Sequence, residues 1–213
     1  KKEIYDTLQF LKRKFMTLLT SIRNDLEQHI INAYNANQET VDKFLSLSKN
    51  DQKSYGKLTD THFTSSAVAI DPSAKNILLL HHKTYNKWLP FGGHWNEHGF
   101  KQETIFQGAV RELLEKGFNN QQIDFSVLNN SYPIDLDIHV ASGHTHYDLA
   151  FLFSISMDEK LTLSNDAKYI AWLDIDNIID NRNELFENRT VRICEKIREL
   201  YPNPQNILKR SIK

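Results

Sequence analysis

Apolar residues recur at steps of three or four over residues 1 to about 36, through Ile4, Leu8, Leu11, Phe15, Leu18, Ile22, Leu26 and Ile30. That spacing places them on one face of a long helix. The stripe is narrow, as on a helix lying in a seam. Two readings stand: packing against the chain's own domain, or a contact across a homodimer. A second, shorter helix is expected near Glu39 to Ser48, with Val41, Phe44 and Leu45 on one side. The polar stretch Lys49 to Thr61 contains Gly56 and reads as a linker. The chain thus divides into a helical extension and linker over 1–61 and a compact domain over 62–213.

Within that domain the period changes. Thr64 to Ile70 and Asn76 to His82 read as strands joined by a turn at Asp71-Pro72-Ser73. The unbroken run Ile77 to Leu80 is that of a strand covered on both faces. Trp88-Leu89-Pro90-Phe91-Gly92-Gly93 is an entry turn in which the glycines permit unusual backbone angles. A helical period follows: Ile105, Phe106, Ala109, Val110, Leu113 and Leu114 face a core. Gly108, Arg111, Glu112 and Glu115 fall within an arc of roughly 100° on the other side. A mid-helix glycine costs about 1 kcal/mol against alanine, so something is expected to approach the backbone there.

Ile123 to Val127 reads as a short strand, and two alternating runs come next. Asp135, Asp137 and His139 alternate with apolar residues, as do His144, His146 and Asp148 with Thr145, Tyr147 and Leu149. Alternate residues of a strand share a face, so each run gathers three ionisable groups. Ser142-Gly143 turns the chain between them into a hairpin, and Ala150 to Ile155 carries the second strand into the core. Lys168 to Asp174 is a further strand. A last helix, Glu184 to Tyr201, has Phe186, Ile193, Ile197 and Leu200 on one side and stops before Pro202.

Composition narrows the function classes. At 213 residues and 40% hydrophobic content the chain can bury an ordinary core. A net charge of −1 argues against a nucleic-acid or anionic-membrane partner, either of which favours a basic excess. Cys194 is the only cysteine, which excludes an internal disulfide and suits a reducing compartment. No apolar run is long enough to span a bilayer. Charges are interspersed through the lysine-rich N-terminus, which does not read as a signal peptide, so a cytoplasmic location is expected.

The stretch from Gly92 to Gly117 resembles the signature of the Nudix (MutT-like) hydrolase family, G-x5-E-x7-R-E-U-x-E-E-x-G-U with U apolar. Glu103, the seven residues after it, and Arg111-Glu112-Leu113-Leu114-Glu115 match in order and spacing. Nine residues rather than five separate Gly93 from Glu103, and Lys116 stands where the second glutamate of the pair belongs. D-x-D-x-H followed by H-x-H-x-D is similar to a bacterial subgroup with a long GGH loop.

The resemblance implies an α/β sandwich with a mixed sheet between helices, and metal-dependent hydrolysis of a diphosphate bond in a nucleoside-diphosphate-linked small molecule. It implies Mg2+ or Mn2+ as cofactor, a hard cation that prefers oxygen ligands. Glu112 and Glu115 would be metal ligands, Glu112 alternatively the base. Arg111 would orient a carboxylate, with Glu103 its partner. Gly92, Gly93, His94, Trp95, Asp137, His139, His144 and His146 would meet substrate. Asn96, Glu97 and His98 share the loop, and Trp95 is either a stacking surface for a base or a lid over the core.

Other readings remain open. Lys116 cannot ligate a metal, which leaves a replacement ligand from the hairpin, or a catalytically impaired module that senses a nucleotide without cleaving it. The six ionisable hairpin residues also suit a separate Zn2+ or Fe2+ site, because imidazole is a borderline ligand. An isopentenyl diphosphate isomerase would use the same scaffold, but no cysteine is placed for it.

Overall fold

The polar and apolar parity of one central strand sets the architecture of the computed structural model, which describes residues 2–50, 52–56, 59–95 and 103–203. Helices α1 (Lys2–Ile31) and α2 (Gln38–Asn50) precede β1 (Thr61–Ile70), β2 (Asn76–His82), β3 (Trp88–Leu89) and β4 (Phe91–His94). Then come α3 (Ile105–Phe118), β5 (Phe125–Val127), β6 (Pro133–Ala141), β7 (His144–Ile155), β8 (Ala167–Asp174), α4 (Ile175–Asp180) and α5 (Asn188–Leu200). The strands form one mixed sheet in an α/β fold. β1 and β7 run parallel from Thr61↔Thr145 to Ile70↔Ser154, and the remaining pairings are antiparallel.

Phe63, Ala67 and Ala69 of β1 join Leu149, Phe151 and Phe153 of β7 in a core covered by Ile105, Ala109 and Leu113 of α3. Leu26, Ile30 and Phe44 belong to the same core, so the later half of α1 and the middle of α2 pack onto their own sheet. Ile4, Leu8, Leu11 and Phe15 lie outside the described side chains. On the other face, Val68, Ile70, Ala150 and Leu152 meet Val191, Ile193, Cys194 and Ile197 of α5 and Ile175 and Ile178 of α4. This second face is apolar only at one end. At the other end the same parity delivers His62, Thr64 and Ser66 from β1 beside His146 and Asp148 from β7. A sheet face that changes from apolar to polar halfway along is a core that opens into a site.

Two features of the strand pairing make room for that site. β2 pairs with β1 only at Ala69 and Ile70, while β4 takes the same edge at Thr64 to Ala67. The hairpin β6–β7 turns at Ser142 (φ 53°) and Gly143 (φ 82°), the left-handed pair of a type I′ turn. It sets His139 opposite His146 and Asp137 opposite Asp148.

Several boundaries differ from the sequence expectations for local reasons. α1 stops at Ile31 rather than near residue 36, because the Tyr34 amide donates to the Pro133 carbonyl (2.8 Å) instead of continuing the helix. The stretch read as a linker contributes Tyr55, which is buried against Phe63 and Trp95 and donates its hydroxyl hydrogen to the Ser48 carbonyl (2.7 Å). The last helix begins at Asn188, not Glu184. α4 was not expected: six residues are too few to show a period, and it is marked only by its cap, the Asp174 side chain accepting from the Asn177 amide (2.9 Å). No described helix is long and apolar enough to cross a membrane.

Cys194 is fully buried in the second core, and burial pushes its thiol up to about 12. The thiolate is the reactive form, so iodoacetamide should leave Cys194 unmodified in the native protein and modify it in urea. Equal labelling rates in the two states would contradict the packing of α5.

Candidate active site

α3 is fixed at both ends before it presents any chemistry. Thr104 accepts from the Gln107 amide (3.1 Å) while the Gln107 side chain accepts from the Thr104 amide (2.8 Å), a reciprocal cap. Asn119, in the left-handed region, ends the helix. Between them Gly108 faces β1. A Cβ there would stand 2.7 Å from Ser65 Oγ and 3.3 Å from Trp95 Cδ1, which is the close approach a mid-helix glycine implied.

Arg111 is the hub of the acidic face. Its Nε and Nη2 donate to the two Glu103 oxygens (3.0 and 3.4 Å), and Nη1 donates to Glu112 Oε1 (2.6 Å). Nη1 also reaches Glu115 Oε2 (3.4 Å), and Nη2 donates to the His94 carbonyl (2.9 Å). Burial works against the guanidinium charge, but Glu103 and Glu112 outweigh it and raise the Arg111 pKa. One side chain therefore ties α3 to Glu103 just ahead of it and to the end of β4.

Glu112 is 1% exposed, and its carboxylate lies against Gly93. A Cβ on Gly93 would stand 2.4 Å from Oε1, so only glycine leaves the space this carboxylate fills. Burial pushes the Glu112 carboxyl above the usual range, against the pull of Lys116 and Arg111. Its Oε2 accepts no hydrogen bond among the described residues, and Lys116 Nζ stands 3.4 Å away. Lys116 itself bends into the site, donating to the Gly92 carbonyl (2.6 Å) and pairing with Asp166 (3.2 Å). Burial disfavours its charge, but Glu112 and Asp166 more than compensate and raise its pKa.

A cavity of about 410 Å³ opens beside these groups, lined by Glu112, Glu115 and Lys116 on one side and His94, His139 and His146 on another. Arg189, from the first turn of α5, also lines it. Arg189 is anchored by an ion pair with Asp148, whose Oδ1 accepts from Thr64 (2.7 Å) and Ser66 (3.0 Å). His146 is pushed down to about 4, first by burial and then by the neighbouring His139, His62 and His94 rings, so its imidazole is neutral at physiological pH.

Of the residues singled out in sequence, Gly92, Gly93, His94, Glu112, Glu115, His139 and His146 line this cavity, and Glu103 and Arg111 stand directly behind it. Three do not. Trp95 is fully buried against Tyr55 and Phe63, its indole donating to the Glu103 carbonyl (3.0 Å), so it is a lid over the core and not a stacking surface. Asp137 faces a neighbouring open groove and is spent on Arg192 (2.7 Å) and His139 (2.9 Å). His144 leans toward Asp60 (3.9 Å) and His62 instead. Asn96, Glu97 and His98 lie outside the described residues. Asp135 is consumed by Arg192 and Lys196, so the hairpin carboxylates are structural partners rather than free ligands. The sequence reading missed His62, Thr64 and Ser66, whose alternation in H-F-T-S-S was the available signal, and Arg189 and Asp166, for which no local signal exists.

Whether these residues suit a hard divalent cation is decided by the donor set. Glu112 Oε2 is a buried carboxylate oxygen without a hydrogen bond among the described residues, and Glu115 stands one turn away on the same cavity. Such oxygens fit Mg2+ or Mn2+. The Lys116 ammonium beside Glu112 competes for the same negative charge.

No protein-family model matches the sequence, and no curated protein matches it. Solved structures do. A Nudix-family hydrolase from Clostridium perfringens aligns with a TM-score of 0.51 and 19% identity, over 65% of this chain and 97% of its own. The Ap4A hydrolase of C. elegans aligns at 0.53 and 17% identity, over 66% and 97%. The MutT protein of Methanosarcina mazei aligns at 0.50 and 14% identity, over 66% and 94%. At these identities the likeness establishes the fold, and the chain has the Nudix fold.

Gly93→Ala places a methyl group on the Glu112 carboxylate and should lower unfolding stability in urea by about 1–3 kcal/mol. An unchanged urea midpoint would show that Glu112 is not packed against β4.

Proposed function

We propose that the chain hydrolyses a diphosphate bond in a nucleoside-diphosphate-linked small molecule, using a divalent cation held by Glu112 and Glu115. The observation that carries this reading is a buried carboxylate whose Oε2 accepts no hydrogen bond among the described residues and faces the Lys116 ammonium at 3.4 Å, held by Arg111 at the wall of a cavity that also presents Arg189. Bound there, Mg2+ or Mn2+ supplies neutralisation of the phosphate charge.

The chain's own groups do the rest. Glu112, where it is not itself the cation's ligand, is placed to take a proton from the attacking water as that water's oxygen bonds to phosphorus and the bridging P–O bond breaks. Arg111 is a positioning residue: it fixes Glu112 and Glu115 relative to the His94 carbonyl and stays charged throughout. Arg189 and Lys116 present cations to the non-bridging oxygens, where charge accumulates. Lys116 thus has two effects, aiding phosphate binding and weakening the cation's hold on Glu112.

A second reading rests on the same lysine. Its ammonium already bonds the Gly92 carbonyl and faces Glu112, which is what a protein that binds a nucleotide without cleaving it would show. The assay separating the two uses nucleoside-diphosphate-linked compounds, dinucleoside polyphosphates included because the nematode neighbour is an Ap4A hydrolase, with Mg2+ or Mn2+. Turnover is expected, with kcat/KM falling at least about a hundredfold in Glu112→Gln. Lys116→Gln should lower the Mg2+ concentration giving half-maximal rate. Absence of turnover across the panel, with calorimetric binding indifferent to metal, would establish the sensor instead.

A further inference from the structure

We propose that His62, His94 and His146 form a binding site for a borderline transition-metal dication such as Zn2+ or Fe2+, separate from the carboxylates of α3. The three come from β1, β4 and β7, brought together by the pairing His62↔His146 and by His94 beside Thr64. One ring nitrogen from each lies within 4.8 Å of the other two. Ring centroids are 4.9 Å apart for His62–His94, 4.9 Å for His62–His146 and 5.3 Å for His94–His146. A tetrahedral ion with Zn–N bonds of about 2.0–2.1 Å holds its ligand atoms roughly 3.4 Å apart. Small side-chain rotations about a preformed cluster reach that geometry.

The outer contacts have the form such a site requires. His62 Nδ1 lies 2.7 Å from the Thr59 carbonyl, which can only accept, so Nδ1 carries the proton and Nε2 holds the ring's lone pair. A metal-binding histidine characteristically gives its second N–H to a carbonyl or carboxylate in this way. His146 Nε2 is buried and has no hydrogen-bond partner among the described residues. His139 stands beside the triad, 5.3 Å from the His146 ring, with its Nδ1 oriented by Asp137.

Donor type sets the choice of ion. Asp148, on the same face of β7 as His146, is committed to Thr64, Ser66 and Arg189, leaving imidazoles as the donors. Three imidazoles without a carboxylate favour Zn2+ and its neighbours over Mg2+. His94 and His146 line the main cavity, so the fourth position opens toward it, as in catalytic rather than structural zinc sites. Its ligand there is water or a phosphate oxygen. The inference is independent of whether Glu112 and Glu115 hold Mg2+.

The test is titration of the chelator-treated full chain with Co2+, read by visible absorption. About one equivalent should bind with the intense bands of a four- or five-coordinate nitrogen site, any Co2+ held by the carboxylates adding only weak bands. His146→Gln and His94→Gln should each weaken binding at least about tenfold, with circular dichroism confirming their fold, while Glu112→Gln should leave it unchanged. X-ray absorption of the zinc-loaded wild-type chain should show three nitrogen neighbours at about 2.0 Å, a readout that needs no variant. Weak octahedral bands alone, intense bands that survive both histidine changes, loss of the intense bands in Glu112→Gln, or an all-oxygen zinc shell would each overturn the proposal.

Discussion

A guanidinium held among three carboxylates is the contact on which the site depends. Arg111 and Glu103 are both largely buried, and Glu112 is almost wholly so. Removing one partner from such a group leaves an uncompensated charge where water cannot reach it. The cost is high because the same side chain does three jobs: it closes the loop before α3 through Glu103, reaches β4 through the His94 carbonyl, and fixes Glu112 at the cavity wall. Without Arg111, Glu112 would have only Lys116 to balance it.

The sheet provides what the helix cannot. β1 and β7 alternate strictly, so one face of each goes to the α3 core and the other is divided between the α5 core and the cavity. The two walls of that cavity have different chemistry for this reason. Helix α3 contributes carboxylates, which suit a hard cation, and the strands contribute imidazoles, which suit a borderline one. His94 belongs to both walls, its carbonyl accepting from Arg111 and its ring standing with His62 and His146.

What was legible in the sequence was what periodicity encodes. The α3 stripe, the alternating hairpin and the eight-residue step from Glu103 to Arg111 all place residues relative to their own element, and the structure has them so. Contacts that need side-chain reach or a distant element were not legible. The helical wheel puts Lys116 at the edge of the apolar face, yet its flexible stem carries the ammonium to Gly92 and Asp166. Trp95 follows the glycines in a polar loop, where sequence left a stacking surface and a lid over the core both open, and Tyr55 from a stretch that looked like a tether packs against it. His62 lay two residues ahead of the expected strand, and Arg189 enters from a helix far downstream of it, so no local pattern joins either to the hairpin histidines.

The account stands or falls on the Arg111 hub, and a double-mutant cycle measures it. Arg111→Ala, Glu103→Ala and the double variant would be unfolded in urea with the wild type. A coupling of about 1.5–3 kcal/mol, the range for a hydrogen bond to a charged group, is expected between the two positions. Additive losses with no coupling would contradict it, because Arg111 would then organise nothing beyond itself.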